Sequence, residues 1–135
     1  MRAMAASAMT ARYSLPRRPL PSGAAINNVS GDKQWQYYEI NVPDGAESLT
    51  VELTDLDGNC DLYIRRGRLP SDKENDRSSK RSGRSDETIA IKQPKPAVYF
   101  IGVYGNHDVL NGVKYRLTAT VADAAPGTEP SLNKR

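Results

Sequence analysis

The chain holds 135 residues, a length that suits one domain built around a single core. Hydrophobic residues make up 38%, charged residues 26%, and mean hydropathy is -0.64. No apolar run approaches the ~20 residues that a membrane-spanning helix needs. Nineteen Lys and Arg against sixteen Asp and Glu leave a net charge of +3, too small by itself to imply nucleic acid.

In chain order, residues 1–27 read as a flexible arm. Pro16, Pro19 and Pro21 interrupt any helix, and the apolar residues follow no period. Arg2, Arg12, Arg17 and Arg18 make this arm basic. It lacks the continuous apolar stretch of ~7 to 15 residues that marks a signal peptide. The expectation is therefore a piece of a longer exported protein whose targeting information lies elsewhere.

From there the hydrophobic period is two. Gln34 to Val42 (QWQYYEINV) is an aromatic-rich strand stopped by Pro43-Asp44-Gly45. Ser48 to Thr54 sets Leu49, Val51 and Leu53 against Thr50, Glu52 and Thr54. Cys60, Leu62 and Ile64 share one face, opposite Asp61 and Tyr63. Gly67 to Ser85 is charged and serine-rich, an exposed loop or a small irregular excursion. Thr88 to Ile91 pairs Ile89 with Ile91. Val98 to Tyr104 is apolar or aromatic on both faces, as a central strand is, and Val113 to Val121 alternates cleanly. Residues 123–135 return to a Pro/Gly/polar tail. Alternating strands need a second layer to bury their apolar faces. The pattern predicts an all-β chain: a two-sheet antiparallel β-sandwich, jelly-roll-like, over residues 28–122, between flexible arms and monomeric.

Five segments in this order resemble a known family. They are "YYEINVPDGAESLTVEL" (Tyr37 to Leu53), "GNCDLYIRRGRLP" (Gly58 to Pro70), "DETIAI" (Asp86 to Ile91), "AVYFIGVYG" (Ala97 to Gly105) and "NGVKYRLTATV" (Asn111 to Val121). Together they are similar to the bacterial pre-peptidase C-terminal domain, a small β-sandwich appended to many secreted proteases. Its collagen-binding relatives sit at the end of clostridial collagenases. There are departures. The family's usual Gly-Asp-Ala-Asp-Leu-Tyr is here Gly58-Asn59-Cys60-Asp61-Leu62-Tyr63, one carboxylate fewer, and its frequent cysteine pair is absent. The resemblance implies a non-catalytic accessory role in an exported, protease-associated protein: adhesion to a protein or polymeric substrate, spacing, or removal during maturation.

Three candidate sites follow. Asp55, Asp57, Asn59 and Asp61 alternate in "DLDGNCD", and such oxygens converge on Ca²⁺ when the backbone curls. Against the helix-flanked calcium loop, Cys60 stands where a turn glycine is needed and Arg66 where a glutamate is needed. A polar hairpin turn capping its own backbone is the alternative. The resemblance also implies calcium near the first strand, where "AAINNVSGD" offers Asn27, Asn28 and Asp32. The second candidate is a tyrosine face for a fibrous ligand, as the collagen-binding relatives use, since tyrosine gives large contact area at low entropic cost. Strand parity makes Tyr63 the best exposed residue, with Tyr99 or Tyr104 next.

The third is the basic run Arg65, Arg66, Arg68, Lys73, Arg77, Lys80, Arg81 and Arg84, diluted by Asp72, Glu74 and Asp76. It could meet an anionic polymer. Nucleic acid is disfavoured, because no stacking aromatics or recognition helix accompany the charge. Catalysis is poorly supported: the single histidine, His107, lies in an expected hairpin loop, and the single cysteine, Cys60, faces inward.

Overall fold

A computed structural model describes residues 17–123. Among these residues nine strands are present: β1 (Arg17–Pro19), β2 (Ala25–Ser30), β3 (Trp35–Val42), β4 (Ala46–Thr54), β5 (Cys60–Arg66), β6 (Arg77–Ser79), β7 (Glu87–Lys92), β8 (Ala97–Gly105) and β9 (Val113–Asp123). They form a five-stranded sheet, β1-β3-β8-β5-β6, and a four-stranded sheet, β2-β9-β4-β7. The two-sheet sandwich is as the period-two pattern predicts. One pair departs from it, since β1 runs parallel to β3. Among the described residues no helix is long and apolar enough to cross a membrane.

The alternation read from sequence sets which side chains meet between the layers. Tyr38, Ile40 and Val42 of β3, Leu62 and Ile64 of β5, and Ile101 and Val103 of β8 face Leu49, Val51 and Leu53 of β4 and Val113, Leu117 and Ala119 of β9. Each such aliphatic side chain contributes about 1.5–3 kcal/mol by leaving water.

Four expectations change. The arm placed over residues 1–27 is folded from Arg17 onward. Leu20 enters the core, its N–H donates to the Glu39 carbonyl at 2.8 Å, and the Gly23 N–H donates to the Ala119 carbonyl at 2.8 Å. Pro19 is tolerated because β1 is an edge strand. Residues 1–16 of that arm, and the tail beyond Asp123, lie outside the described residues. The Gly67–Ser85 excursion contributes a strand of its own, β6, which pairs with β5. Finally, the turn after β4 and the loop holding His107 are not hairpins. β4 and β5 lie in different sheets, as do β8 and β9, so both loops cross between layers. Of the sequence-adjacent strands, only β5 and β6 pair with each other.

Two polar devices tie the layers together. Asn28 Nδ2 donates to the Tyr38 hydroxyl at 3.0 Å, and the hydroxyls of Tyr38 and Tyr115 are hydrogen-bonded across the core. The Tyr115 hydroxyl donates to Gln36 Oε1, and Gln36 Nε2 donates to the Val29 carbonyl at 2.8 Å. Since Tyr115 gives its proton to Gln36, Tyr38 must donate to Tyr115. The Tyr38 and Tyr115 hydroxyls thus each accept once and donate once. At the opposite edge, Glu87 of β7 is fully buried and accepts from the Ser79 hydroxyl and from the Arg81 N–H at 3.1 Å. It fastens the strand after β6 to the other sheet.

Burial raises the pKa of Glu87 above its ordinary value, and that of Asp61 likewise. A carboxyl group raised in the folded state binds its proton more readily there than in the unfolded chain, so its ionisation costs stability. That cost is relieved as pH falls from neutral toward the ordinary carboxylate range. Asp72 is shifted down by Lys80 and Tyr63, and its contribution is lost only below the usual 3.8. We expect the thermal midpoint to rise between about pH 7.5 and about pH 5. Glu87→Gln should flatten that rise in the same melts.

Candidate functional site

The outer face of the five-stranded sheet is built on β8, flanked by β3 and β5. Three rows cross it: Trp35–Tyr104–Asp61, Tyr37–Gly102–Tyr63 and Glu39–Phe100–Arg65. The middle row has no side chain at its centre. Trp35 uses that vacancy, its ring lying so close over Gly102 that a Cβ there would sit 2.8 Å from Trp35 Cζ3 and 3.1 Å from Pro70 Cγ. The indole stacks on Tyr37 (5.6 Å between centroids, 3° between planes) and tilts against Tyr63 (4.9 Å) and Tyr104 (5.0 Å).

The segment after β5 roofs this cluster. Pro70 is buried, and its carbonyl accepts from the Tyr37 hydroxyl at 3.5 Å. A turn follows in which the Ser71 N–H donates to the Glu74 carbonyl at 2.8 Å and the Glu74 N–H donates to Ser71 Oγ at 3.0 Å. The chain returns along β5 as β6, bringing Asp72 and Lys80 over Tyr63. The Tyr63 hydroxyl and Lys80 Nζ each donate to Asp72 Oδ1 at 3.2 Å.

Strand parity therefore places Tyr63 on the expected face, but not in solvent. It is 2% exposed, covered by Trp35 and this roof. Tyr99 is also buried, because it points into the core, and its hydroxyl donates to the Lys95 carbonyl at 3.0 Å. Tyr104 alone of the three stays half-open on the outer face. The aromatic that sequence reasoning passed over is Trp35. The signal available for it was a glycine inside an otherwise bulky central strand, "YFIGVYG".

Between Trp35, Tyr104 and the roof lies an open cleft of about 780 Å³, with Asn59, Asp61, Asp72 and Lys80 among its lining. A second hollow of about 940 Å³ lies on the β1 side of Trp35, lined by Arg17, Arg18, Gln34, Gln36 and Tyr37 among others. Asp61, at the first cleft's floor, is 4% exposed and accepts from Asn106 Nδ2 at 3.3 Å.

The proposed calcium ligands are not brought together as one set. Asp57 Oδ1 accepts from the Lys114 N–H at 2.8 Å, Asp55 lines a separate hollow with Asn27 and Asn28, and only Asn59 and Asp61 share the cleft. The cause is the crossover, which sends the residues before and after Gly58 toward different sheets. Among the described residues no group of three or more His, Cys, Asp or Glu is placed to hold a metal.

The basic run is partly neutralised. Arg65 Nη1 pairs with Glu74 Oε1 at 3.1 Å and Lys80 Nζ with Asp72 Oδ1 at 3.2 Å. The Arg66 backbone N–H donates to Asp76 Oδ2 at 2.8 Å, and Arg77 Nη1 to the Ala90 carbonyl at 3.2 Å. Arg66 and Arg68 remain exposed. His107 is structural: its Nδ1 accepts from the Val109 N–H, so its Nε2 carries the proton given to the Ser30 carbonyl at 3.1 Å.

This arrangement can be set beside known proteins. Residues 35–105 match the profile of the bacterial pre-peptidase C-terminal domain. The chain belongs to that family. Comparison with curated protein sequences gives no significant match. Among solved structures, the pre-peptidase C-terminal domain of a Bacillus anthracis collagenase aligns with TM-score 0.60 at 13% identity, covering 79% of this chain and 97% of that one. PliG of Aeromonas hydrophila, a periplasmic inhibitor of g-type lysozyme, aligns with TM-score 0.55 at 16% identity, covering 78% and 95%. At such identities the likeness is one of fold.

As expected for a pre-peptidase C-terminal domain, the module is non-catalytic. Its one thiol is unsuited to attack, since burial pushes Cys60 up to about 11. Two substitutions test the geometry by denaturant unfolding. Tyr63→Ala should cost about 3 kcal/mol, as removal of a buried ring does. Gly102→Ala should cost about 1–3 kcal/mol, because a rigid indole must move. Stability unchanged in both would mean that the roof and the indole do not cover β8 as described.

Proposed function

We propose that this pre-peptidase C-terminal domain is an adhesion module of an exported, protease-associated protein, receiving an extended protein polymer of collagen-like type on the outer face of its five-stranded sheet. One observation carries the reading. Trp35 lines two hollows, the cleft and the one beside β1, so that a long ligand crossing the indole would meet both. Tyr104 extends the aromatic surface into one hollow. Large rings held by their neighbours give contact area without ordering cost. The likeness to a collagenase's pre-peptidase C-terminal domain supports a substrate of that class.

The basic run is the second surface to consider, with Arg66 and Arg68 exposed. It would make binding steeply salt-dependent. A domain serving only spacing or maturation would bind neither.

The test is a binding isotherm for a triple-helical collagen-like peptide, with calcium and again with chelator, at two salt concentrations. We expect saturable binding that Tyr104→Ala weakens by about tenfold, with the thermal midpoint little changed. Sensitivity to chelator would restore the calcium expectation at Asp55, Asp57, Asn59 and Asp61. Sensitivity to salt together with loss on neutralising Arg65, Arg66 and Arg68 would move the site to the basic run. No saturable binding would overturn the adhesion reading.

A further inference from the structure

The first cleft has an uneven distribution of hydrogen-bond donors. Asp72, on the rim and exposed, receives two: the Tyr63 hydroxyl and Lys80 Nζ. Asp61, on the floor and buried, receives one side-chain donor, Asn106 Nδ2, at the long distance of 3.3 Å. A carboxylate offers about four acceptor positions, so most of those on Asp61 are unused. Lys80, a cation on the cleft's lining, makes its ion pair with Asp72 instead.

A second acceptor beside it is in the same condition. Asn59 Oδ1 is shielded from solvent and, among the described residues, has no hydrogen-bond partner; its residue also lines the cleft. Buried acceptors without donors are uncommon and costly. What the floor lacks is N–H donors, and beside a buried carboxylate a positively charged donor compensates best. The walls suit the same group. The rings of Trp35 and Tyr104 can pack the apolar stem of a long basic side chain and face its cationic head.

We infer that the cleft is a subsite for a cationic side chain, an arginine or lysine of the bound polymer, with Asp61 as counter-charge and Asn59 Oδ1 as second acceptor. Lys80 is its resident competitor: held at the rim over the Tyr63 ring, its charge weakens the attraction for an incoming cation. Lys73 on the lining acts in the same sense, and Asp72 against it. This inference deepens the adhesion reading and rests on it for the source of the side chain, but the subsite can be probed alone.

The experiment is an NMR titration of the full chain with N-acetyl-arginine amide and with its neutral, near-isosteric counterpart N-acetyl-citrulline amide. The side-chain amide signals of Asn59 and Asn106 are the reporters. Saturable shifts are expected with the arginine probe, and affinity for citrulline at least about tenfold lower. Asp61→Asn, which keeps shape and removes charge, should abolish the preference. Lys80→Met should strengthen arginine binding, a gain that a misfolded variant would not produce. Equal response to both probes would overturn the inference and mark the cleft as one for neutral hydroxyl or amide groups. So would the absence of shifts at Asn59 and Asn106. If the arginine probe binds here while the triple-helical peptide does not, the subsite stands and the adhesion reading fails.

Discussion

The contact of Trp35 with the bare backbone at Gly102 is the constraint on which the functional face depends. A sheet face made of large side chains in every row would hold its aromatics upright and separate. One missing Cβ in the central strand lets the indole lie down across β8. It then meets Tyr37, Tyr63 and Tyr104 at once. Pro70 packs on the same spot, which draws the long segment after β5 over Tyr63 rather than away into solvent. The cleft is what remains between the indole, Tyr104 and that roof. Both the aromatic cluster and the polar floor thus follow from one absent side chain.

The sandwich underneath is closed by side chains as much as by ladders. The Asn28–Tyr38–Tyr115–Gln36 chain joins the two layers and ends on the Val29 carbonyl, while Asn28 Oδ1 accepts from the Val29 N–H at 2.8 Å. At the far edge, Arg77 donates to the Ala90 carbonyl of β7. Both edge strands of the four-stranded sheet therefore have peptide groups occupied by side chains. Open strand edges invite pairing with other chains, and this occupation blunts them. It leaves the outer face of the other sheet as the surface with unmet bonding capacity, concentrated at Asp61 and Asn59.

Much of the fold could be read from spacing alone. Leu49, Val51 and Leu53, or Val113, Tyr115, Leu117 and Ala119, state their inward face by alternation, and a sheet with one apolar face requires a partner layer. The segment pattern was also enough to point to the family that residues 35–105 match. The strands that escaped notice were β1, β2 and β6, which carry little apolar alternation and owe their pairing to neighbours already in place. The site was less legible. Parity put Tyr63 on the outer face correctly, yet exposure depends on what else covers that face. Asp55, Asp57, Asn59 and Asp61 look like one ligand set only while the chain is treated as a continuous loop.

The sequence by itself determined the strand period, the two-layer architecture and the identity of the core, because alternation is a local property that burial acts on directly. Tertiary structure alone decided strand order, the crossover that parts the acidic residues, the roof over Tyr63 and the allocation of donors between Asp72 and Asp61. Those features depend on distances between residues far apart in the chain. Trp35 and Gly102, or Asp61 and Asn106, meet only once the layers have closed, and no periodicity in either segment encodes the other.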